Sequence, residues 1–534
     1  MSRTNVLIVG AGPTGLTLAV ELAARDVAVR IIDKSPKYFA GSRGKGLAPR
    51  SREVFDNLGV QDQVERSGWD HLAYRRWVNG ELVADGDQNK NLHPTPGIPY
   101  ETGILIAQWR VEEILREKLA EYGITVELGT ELTEFTQTAD AVTATLRTGD
   151  EILADYLVGC DGGRSTVRKS VDVAFEGESG PQAMLIGDVL VEGLEPDAWY
   201  MWTDSAKGFV ALCPFRDWPA WQFQAVRMSD FNETGELPPP TVELFQDIFD
   251  EIATIPGVTL SDASWLSTYR INVRMVEKFR FDRVFLAGDA AHVHPPAGGL
   301  GMNTGIQDAH NLGWKLALVL SGNADAALLD SYNDERVPIA EWTLGVSARE
   351  LRSIGNEVNG GTTGGFRPRG ELQQGQLALG YRWSPLAKTL VERPEGAPRA
   401  GDRAPDAPCQ TATGDPVRLF DLFRQPNFTL LGFGQETRET VEAALAKHGD
   451  ITTGHLVENY TQCNVNMLHI AGADVVNVDV PHVDVLDVDG YAHREYAVTE
   501  PTLFLIRPDG HIGLIADPAQ GSAVLDYLAD LGKN

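Results

Sequence analysis

The run Val6-Leu7-Ile8-Val9, followed by Gly10-Ala11-Gly12-Pro13-Thr14-Gly15 and, after a helical stretch, by Ile31-Ile32-Asp33, decides the fold of this 534-residue chain. Four apolar residues before a glycine cluster read as a buried parallel strand, and Leu16 to Arg25 has the period and the Ala/Leu/Glu content of a helix. The glycines have separate duties: Gly10 permits the tight turn, Gly12 lets a pyrophosphate approach the backbone, and Gly15 lets helix and strand pack closely. The helix N-terminus offers free N–H groups and a positive dipole end to the phosphates. Val27 to Ile32 is the second strand, and Asp33 closes it where a carboxylate holds adenosine ribose hydroxyls. An acid there disfavours a 2′-phosphate, so the motif predicts FAD or NAD over NADP.

A chain of this length exceeds one core and predicts two or three domains. It has 46 Lys and Arg against 75 Asp and Glu, a net charge of -29, which argues against nucleic acid or an anionic membrane as partner. Any anionic cofactor therefore depends on local arginines and backbone amides. Cys160, Cys213, Cys409 and Cys463 lack CxxC spacing and any His/Cys cluster, which predicts a reducing, cytoplasmic setting with neither zinc nor a disulfide framework. The N-terminal apolar run is broken by Gly10, Gly12 and Pro13 and reads as a strand, not a signal peptide. No apolar window reaches the roughly eighteen residues of a membrane span.

Beyond Asp33, Gly41 to Ser51 is a basic, glycine-rich loop in which Arg43 is placed to meet phosphate or flavin. Residues 69–105 read as a local β excursion with an Asn79-Gly80 hairpin signal, and Gln108 sits where a strand meets a helix running to Tyr122. Tyr156 to Arg168, with Cys160-Asp161-Gly162 and the N-cap residue Ser165, is a second strand–turn–helix. From 175 to 282 the pattern changes to alternating, aromatic-rich strands, the mark of an inserted antiparallel sheet. Arg283 to Asn303 returns to the first domain: a strand ends at Gly288-Asp289, a proline- and glycine-rich loop follows, and a helix runs to about Leu320. His292 and His294 have metal-compatible spacing but no third ligand nearby, so no metal is expected. Residues 321–390 read as helical, 392–408 as a proline-rich linker, and 409–534 as a small α/β domain. Asp484 to Gly490 lacks the alternation and closing Glu of a calcium loop.

Four segments together resemble one family in order and spacing: Gly10 to Gly15 with Asp33, Cys160-Asp-Gly to Arg168, Gly288-Asp289, and Leu505-Ile-Arg-Pro-Asp-Gly510. The chain resembles the single-component FAD-dependent aromatic hydroxylases of the p-hydroxybenzoate hydroxylase type, in the branch with a C-terminal thioredoxin-like domain that includes phenol and aromatic polyketide hydroxylases. The resemblance implies an α/β fold: a discontinuous, Rossmann-like FAD-binding domain (1–174 and 283–391), the β-sheet substrate domain (175–282), the linker, and a thioredoxin-like domain lacking CxxC. That last domain is expected to serve packing or dimer support, in a monomer or homodimer.

By the same resemblance, FAD is held by Gly10, Gly12, Pro13, Thr14, Gly15, Asp33, Lys34, Arg43, Gln108 and Asp161, with a backbone contact from Leu132 near the adenine and Asp289 on the ribityl chain. Pro295 lies near the flavin ring, and Gly299, Leu300, Gly301, Met302 and Asn303 donate amides toward its N1/O2 edge. Arg43 on its loop couples flavin movement to transient docking of NADPH or NADH, and with the Pro295 backbone forms the catalytic expectation. The implied reaction is reduction of FAD, formation of a C4a-hydroperoxyflavin with O₂, and transfer of the distal oxygen to an electron-rich ring carbon. Tyr200, Trp221 and Pro296 are the expected contacts for a small aromatic substrate, phenolic or polycyclic and polyketide-like, with Tyr269, His71 and His294 as further pocket polar groups. Competing readings are Baeyer–Villiger oxygenation of a polyketide ketone, and a flavin-binding protein without oxygen transfer.

Overall fold

Fully apolar strands bury both faces, alternating strands bury one, and in the computed structural model these patterns sort into three eight-stranded sheets. The structure describes residues 2–227, 239–294, 299–358, 376–411, 413–424, 426–459 and 485–531.

The first sheet has a parallel centre, in the order Glu127–Leu128, Val29–Asp33, Ser2–Val9, Glu151–Gly159 and Val284–Leu286. Val6, Leu7 and Ile8 are wholly buried because helices cover both faces. The Pro13–Ala23 helix packs beside the Gly301–Leu320 helix, and the two approach so closely that a Cβ on Gly313 would lie 2.8 Å from that of Glu21. Glu21 is buried there between Arg25 and His310, a pairing that offsets the cost of enclosing its charge. Three loops leave the carboxyl ends of adjacent parallel strands: 10–15 after Ser2–Val9, 160–168 after Glu151–Gly159, and 287–294 after Val284–Leu286. Open α/β sheets bind ligands at that edge.

The second sheet is largely antiparallel and contains Glu176–Glu192, Ala198–Asp204, Gly208–Pro214, Ala220–Arg227 and Thr259–Met275. It differs from expectation in one respect. The β excursion at 69–105 is not an appendage of the first domain: Ala73–Val78 pairs in parallel with Ala198–Asp204, and Glu81–Asp87 forms the sheet edge beyond it. Local alternation identifies a strand without naming its partner, so the sequence could not assign it to a sheet. The Val242–Ala253 helix covers one face.

The third sheet centres on Phe428–Phe433, between Thr452–Asn459 and Thr502–Ile506. Residues 392–408 are not a free linker but a strap packed on this sheet. The Gly401 N–H donates to the Ile512 carbonyl at 2.6 Å, the Ala404 N–H to the Gly510 carbonyl at 2.9 Å, and Ala397, Ala400, Ala404 and Ala407 are buried. Small side chains let this proline-rich segment lie close against the strands. The helical expectation for 321–390 holds for Asp330–Val358, whereas residues 376–387 run as turns pinned by the Tyr381 N–H on the Gly401 carbonyl. Among the described residues, no helix is long and apolar enough to cross a membrane, and no group of three metal-ligating side chains occurs.

Candidate active site

The glycine turn is built as three different constraints. A Cβ on Gly10, whose φ is +106°, would lie 2.3 Å from the Cys160 carbonyl oxygen, and one on Gly15 would lie 2.0 Å from the Gly10 oxygen. Among the described residues, nothing lies within 4 Å of a Cβ on Gly12 apart from its chain neighbours. The turn is therefore closed by protein at Gly10 and Gly15 and open to a ligand at Gly12. Gly12 is also the N-cap of the Pro13–Ala23 helix, and no side chain caps it, so the first-turn amides keep their affinity for an anion. Asp33 accepts from the Ala11 N–H at 2.9 Å and the Ser35 N–H at 2.8 Å, which fixes its carboxylate beside the turn. The Thr130 N–H donates to the Asp33 carbonyl at 2.9 Å, which brings the start of the Leu132–Gln137 strand to the same corner; Leu132 is buried and Lys34 exposed there.

Gln108 joins the basic loop to the next helix: its Oε1 accepts from the Gly44 N–H at 3.0 Å and its Nε2 donates to Glu112 at 2.8 Å. Asn303 does the same from the other side, accepting from the Ala48 N–H at 2.7 Å and donating to the carbonyls of Gly46 at 3.1 Å and Gly299 at 2.7 Å. Met302 lies 3.5 Å from where a Gly44 Cβ would stand. Arg43, Gln108 and residues 299–303 thus meet at the N-terminus of the Gly301–Leu320 helix. Glu112 is a member of this corner that the sequence reading missed. Burial pushes its carboxyl up to about 7, against the pull of Gln108, Arg116 and Arg43. Its signal in the sequence was the i,i+4 step from Gln108.

Asp161 accepts from the Ser165 hydroxyl and from the Thr166 and Val167 N–H groups at 2.6 and 3.2 Å, so its first task is to cap the short Thr166–Ser170 helix. Arg168 then ties this turn to the next, donating to the carbonyls of Gly163 at 2.7 Å and Ala290 at 2.9 Å. Gly288, with φ +58°, and Gly305 both press on Thr14: a Cβ on either would come within 2.5 and 2.3 Å of its hydroxyl. Asp289 is solvent-accessible yet deep within the molecule, as the wall of a recess would be. The surrounding protein raises its pKa, opposed by His292 and Arg43.

The second sheet presents opposite faces with strand alternation. Tyr200, Trp202, Trp221 and Phe223 point into the core against the Val242–Ala253 helix. The expectation that Tyr200 and Trp221 touch substrate is therefore corrected. The Tyr200 hydroxyl is spent on Asp197 at 2.7 Å and the Glu195 carbonyl at 3.0 Å. The other face carries Tyr74, Trp199 and Met201, together with Asp188, Gln222 and Gln224. The basic loop docks on this face. Lys45 donates to Gln224 at 3.2 Å and stands 4.0 Å over the Trp199 ring, Gln222 donates to the Ser42 carbonyl, and Arg43 lies 4.8 Å over Phe39 and 5.9 Å over Trp265. Burial pushes Asp188 up to about 7, with Ser42 and Lys45 opposing. His71 pairs with Asp87 at 2.7 Å on the exposed sheet edge, away from this face. Pro295, Pro296 and the Tyr269 side chain lie outside the described residues.

The opening over Gly12, the anchored Asp33 and the accessible Asp289 fit a dinucleotide laid along the strand ends. A family model described as FAD binding domain matches residues 3–346, and one described as aromatic-ring hydroxylase, C-terminal, matches residues 397–531. A flavin-dependent monooxygenase of Mycobacteroides abscessus is 39% identical over 534 residues, covering 98% of this chain and 99% of that protein. Aklavinone-11 hydroxylase, solved as a ternary complex with FAD and aklavinone, is similar with a TM-score of 0.78 at 26% identity over 100% of both chains. The flavin-dependent monooxygenase PieE, solved with FAD and substrate, shares the fold with a TM-score of 0.82 at 23% identity over 99% of both chains. With a relative matching end to end and two family models spanning most of its length, the chain belongs to the FAD-dependent monooxygenases of the aromatic-ring hydroxylase family.

Proposed function

We propose that this monooxygenase hydroxylates a flat, polycyclic aromatic compound of the polyketide type, with NADPH or NADH as transient reductant and O₂ as oxygen source. The observation that carries the reading is the docking of the Arg43 loop on a face whose lining is mostly aromatic and apolar, interrupted by Asp188, Gln222 and Gln224. A broad apolar surface with a few placed polar groups suits a large flat ligand better than a small carboxylate. Aklavinone-11 hydroxylase, which binds FAD and aklavinone, supports the same substrate class.

Bound FAD would supply electron storage and oxygen activation; the chain supplies binding, orientation and electrostatics. The backbone at Gly12 and the uncapped helix behind it would take the pyrophosphate, Asp33 the adenosine ribose and Asp289 the ribityl hydroxyls. Amides of Gly299 to Asn303 lie at a helix N-terminus, where negative charge on the reduced ring is favoured. Arg43, exposed among aromatic rings, adds a cation beside the same recess. The loop and sheet would exclude water from the reacting centre. We read the third sheet, with the Arg438–His448 and Gly521–Ala529 helices, as a thioredoxin-like domain whose role is packing: Cys409, the cysteine described there, is buried with its thiol pushed up to about 12.

The test is nicotinamide oxidation by the FAD-loaded protein in air, with and without phenols, naphthoquinones and polycyclic aromatics, with H₂O₂ and product mass followed together. Faster oxidation with low H₂O₂ and a product heavier by one oxygen atom is expected. A product that is an ester or lactone by NMR would replace ring hydroxylation with Baeyer–Villiger insertion. Stimulation by single-ring phenols alone would overturn the polycyclic assignment.

A further inference from the structure

Behind the recess runs a chain of buried polar side chains that the reading above does not use. Arg336 donates to Asp308 Oδ1 at 2.7 Å, and Asp308 Oδ2 accepts from the Gly288 N–H at 3.0 Å and from His292 Nε2 at 2.7 Å. His292 Nδ1 lies 2.8 Å from His294 Nε2. Arg336, Asp308 and His292 are wholly buried. The chain ends at His294 Nδ1, which is itself buried and has no hydrogen-bond partner among the described residues. His294 stands at the mouth of the Gly301–Leu320 helix, 3.7 Å from where a Cβ on Gly301 would be.

Hydrogen-bond logic gives this chain a direction. An ionised carboxylate only accepts, so His292 must donate through Nε2. Neutral His292 then offers a lone pair at Nδ1, which His294 satisfies with its Nε2–H. Neutral His294 is left with a bare Nδ1 lone pair. We propose that His294 is the terminal proton acceptor of a relay in which Asp308, held by Arg336, positions His292, and His292 positions His294. A proton arriving at His294 Nδ1 releases the Nε2 proton to His292 Nδ1, and the positive charge comes to rest on His292 against Asp308. One proton enters, one moves on, and the charge ends beside a buried carboxylate; this is the logic of a hydrolase His–Asp pair with a second imidazole inserted.

The inference rests on the flavin-and-aromatic reading of the recess for the identity of the proton donor. That donor is an acidic O–H or N–H facing His294, either the hydroxyl of a phenolic substrate or the edge of the reduced flavin ring. Burial holds His294 well below the usual imidazole range, with Asp308 opposing, so its resting form is neutral. Burial alone would raise Asp308, but Arg336 and His292 outweigh it and hold the carboxylate ionised. Among the described residues, the other titratable groups around the relay are Asp289, which interacts with His292, Cys160 and Tyr332, both beside Asp308, and Tyr381, which accepts from Arg336 at 2.9 Å.

The experiment uses ¹⁵N-histidine-labelled, FAD-loaded enzyme and its His294→Gln and Asp308→Asn variants. In the wild type, nitrogen shifts must show both His292 and His294 protonated at Nε2 and bare at Nδ1. His294 protonated at Nδ1 at neutral pH overturns the relay whatever the variants do. In the first arm, 4-nitrophenol is bound and its ionisation followed by absorbance against pH. In the second, the flavin reduction potential is measured against pH. His294→Gln should raise the apparent pKa of the bound phenol by about one unit, a tenfold weaker proton acceptor, if the donor is substrate, or shift the pH at which the potential changes slope by a similar amount if the donor is the flavin edge. Asp308→Asn should act in the same direction. Variants that bind flavin normally and leave both curves unmoved refute the proposal.

Discussion

Gly12→Ala separates ligand space from folding space. Apart from its chain neighbours, the methyl group meets no atom of the described residues within 4 Å, and Gly12 is at φ −77°, ψ −177°, which alanine adopts freely. Restricting the unfolded chain stabilises by about 0.4–1 kcal/mol, whereas alanine is a poorer N-cap than glycine by a comparable amount. The apoprotein should therefore stay within about 1 kcal/mol of wild type. Bound FAD is a different matter. The methyl projects into the opening proposed above for the pyrophosphate, and losing two charge-assisted hydrogen bonds to first-turn amides at about 1.5–3 kcal/mol each would cost about 3–6 kcal/mol. At 1.4 kcal/mol per decade, the FAD dissociation constant rises by about two to four orders of magnitude. Gly15→Ala is the control. Its Cβ would stand 2.0 Å from a backbone oxygen, so the strand–helix contact must open and the apoprotein should lose about 3 kcal/mol or more. Urea unfolding of the two apoproteins and flavin-fluorescence titration measure both quantities. Gly12→Ala binding FAD like wild type, or destabilising the apoprotein as much as Gly15→Ala, refutes the assignment of that opening to the cofactor.

The two faces of the second sheet predict opposite kinetics: Gln222→Ala should raise the substrate KM more than about tenfold, while Tyr200→Phe should cost about 1 kcal/mol of stability and leave KM unchanged; steady-state kinetics on the pair decides, and an equal response would mean the faces are assigned wrongly. Asp188, with a folded pKa of about 7, binds a proton in the native state at pH values where the unfolded state has lost it, so stability should fall as pH rises from about 4 to about 7 and level off above. Asp188→Asn removes up to about 4 kcal/mol of that slope in thermal melts taken across the range; an unchanged slope would show that the carboxyl is already ionised at low pH. Arg507→Leu strands two buried carboxylates, Glu335 and Asp509, and should cost about 3–5 kcal/mol in urea unfolding; a loss below about 1 kcal/mol would mean that the cluster relaxes into water.

What was legible in the sequence was whatever local chemistry forces. Gly10 and Gly15 answer steric demands that no other residue meets, Gly12 leaves the turn open, and Asp33 closes a strand at a fixed distance from them, so the nucleotide corner could be read from thirty-three residues. The three loops at the strand ends were legible for the same reason. The substrate face was not. Trp199 and Tyr200, or Trp221 and Gln222, are neighbours in sequence that point to opposite sides, and parity depends on which face the Val242–Ala253 helix covers, a tertiary fact. Asp308 and Arg336 escaped because their meaning lies in partners far along the chain, such as Asp308 with the Gly288 N–H and with Arg336. Residues 392–408 carry the proline density of a linker, and only the carbonyls of Gly510 and Ile512 make them a strap.

The third sheet is bound to the first domain by charge, and the place of attachment explains why a domain without a CxxC motif belongs there. Asp509 lies on the turn between Thr502–Ile506 and Ile512–Ala516 and accepts from Trp314 Nε1 at 3.1 Å and Asn311 at 3.3 Å, while Arg507 donates to Glu335 at 2.7 and 2.9 Å. Glu335 in turn takes Lys315 at 2.8 Å and Ser384 at 2.6 Å. Trp314, Asn311 and Lys315 all sit on the Gly301–Leu320 helix, whose first turn carries Met302 and Asn303 beside the Arg43 loop and whose Asp308 holds Gly288. A twenty-residue helix is a rod about 30 Å long. Fixing its distal half in a directional, hydrogen-bonded ion cluster fixes the orientation of its proximal end, which carries the first-turn amides and Asp308, the partner of His292. Apolar packing alone would hold the helix as strongly but tolerate rotation about its axis; directed hydrogen bonds from Asn311 and Trp314 to Asp509 and from Lys315 to Glu335 do not. The buried charges thus trade stability for orientation, and the orientation is used at the active site.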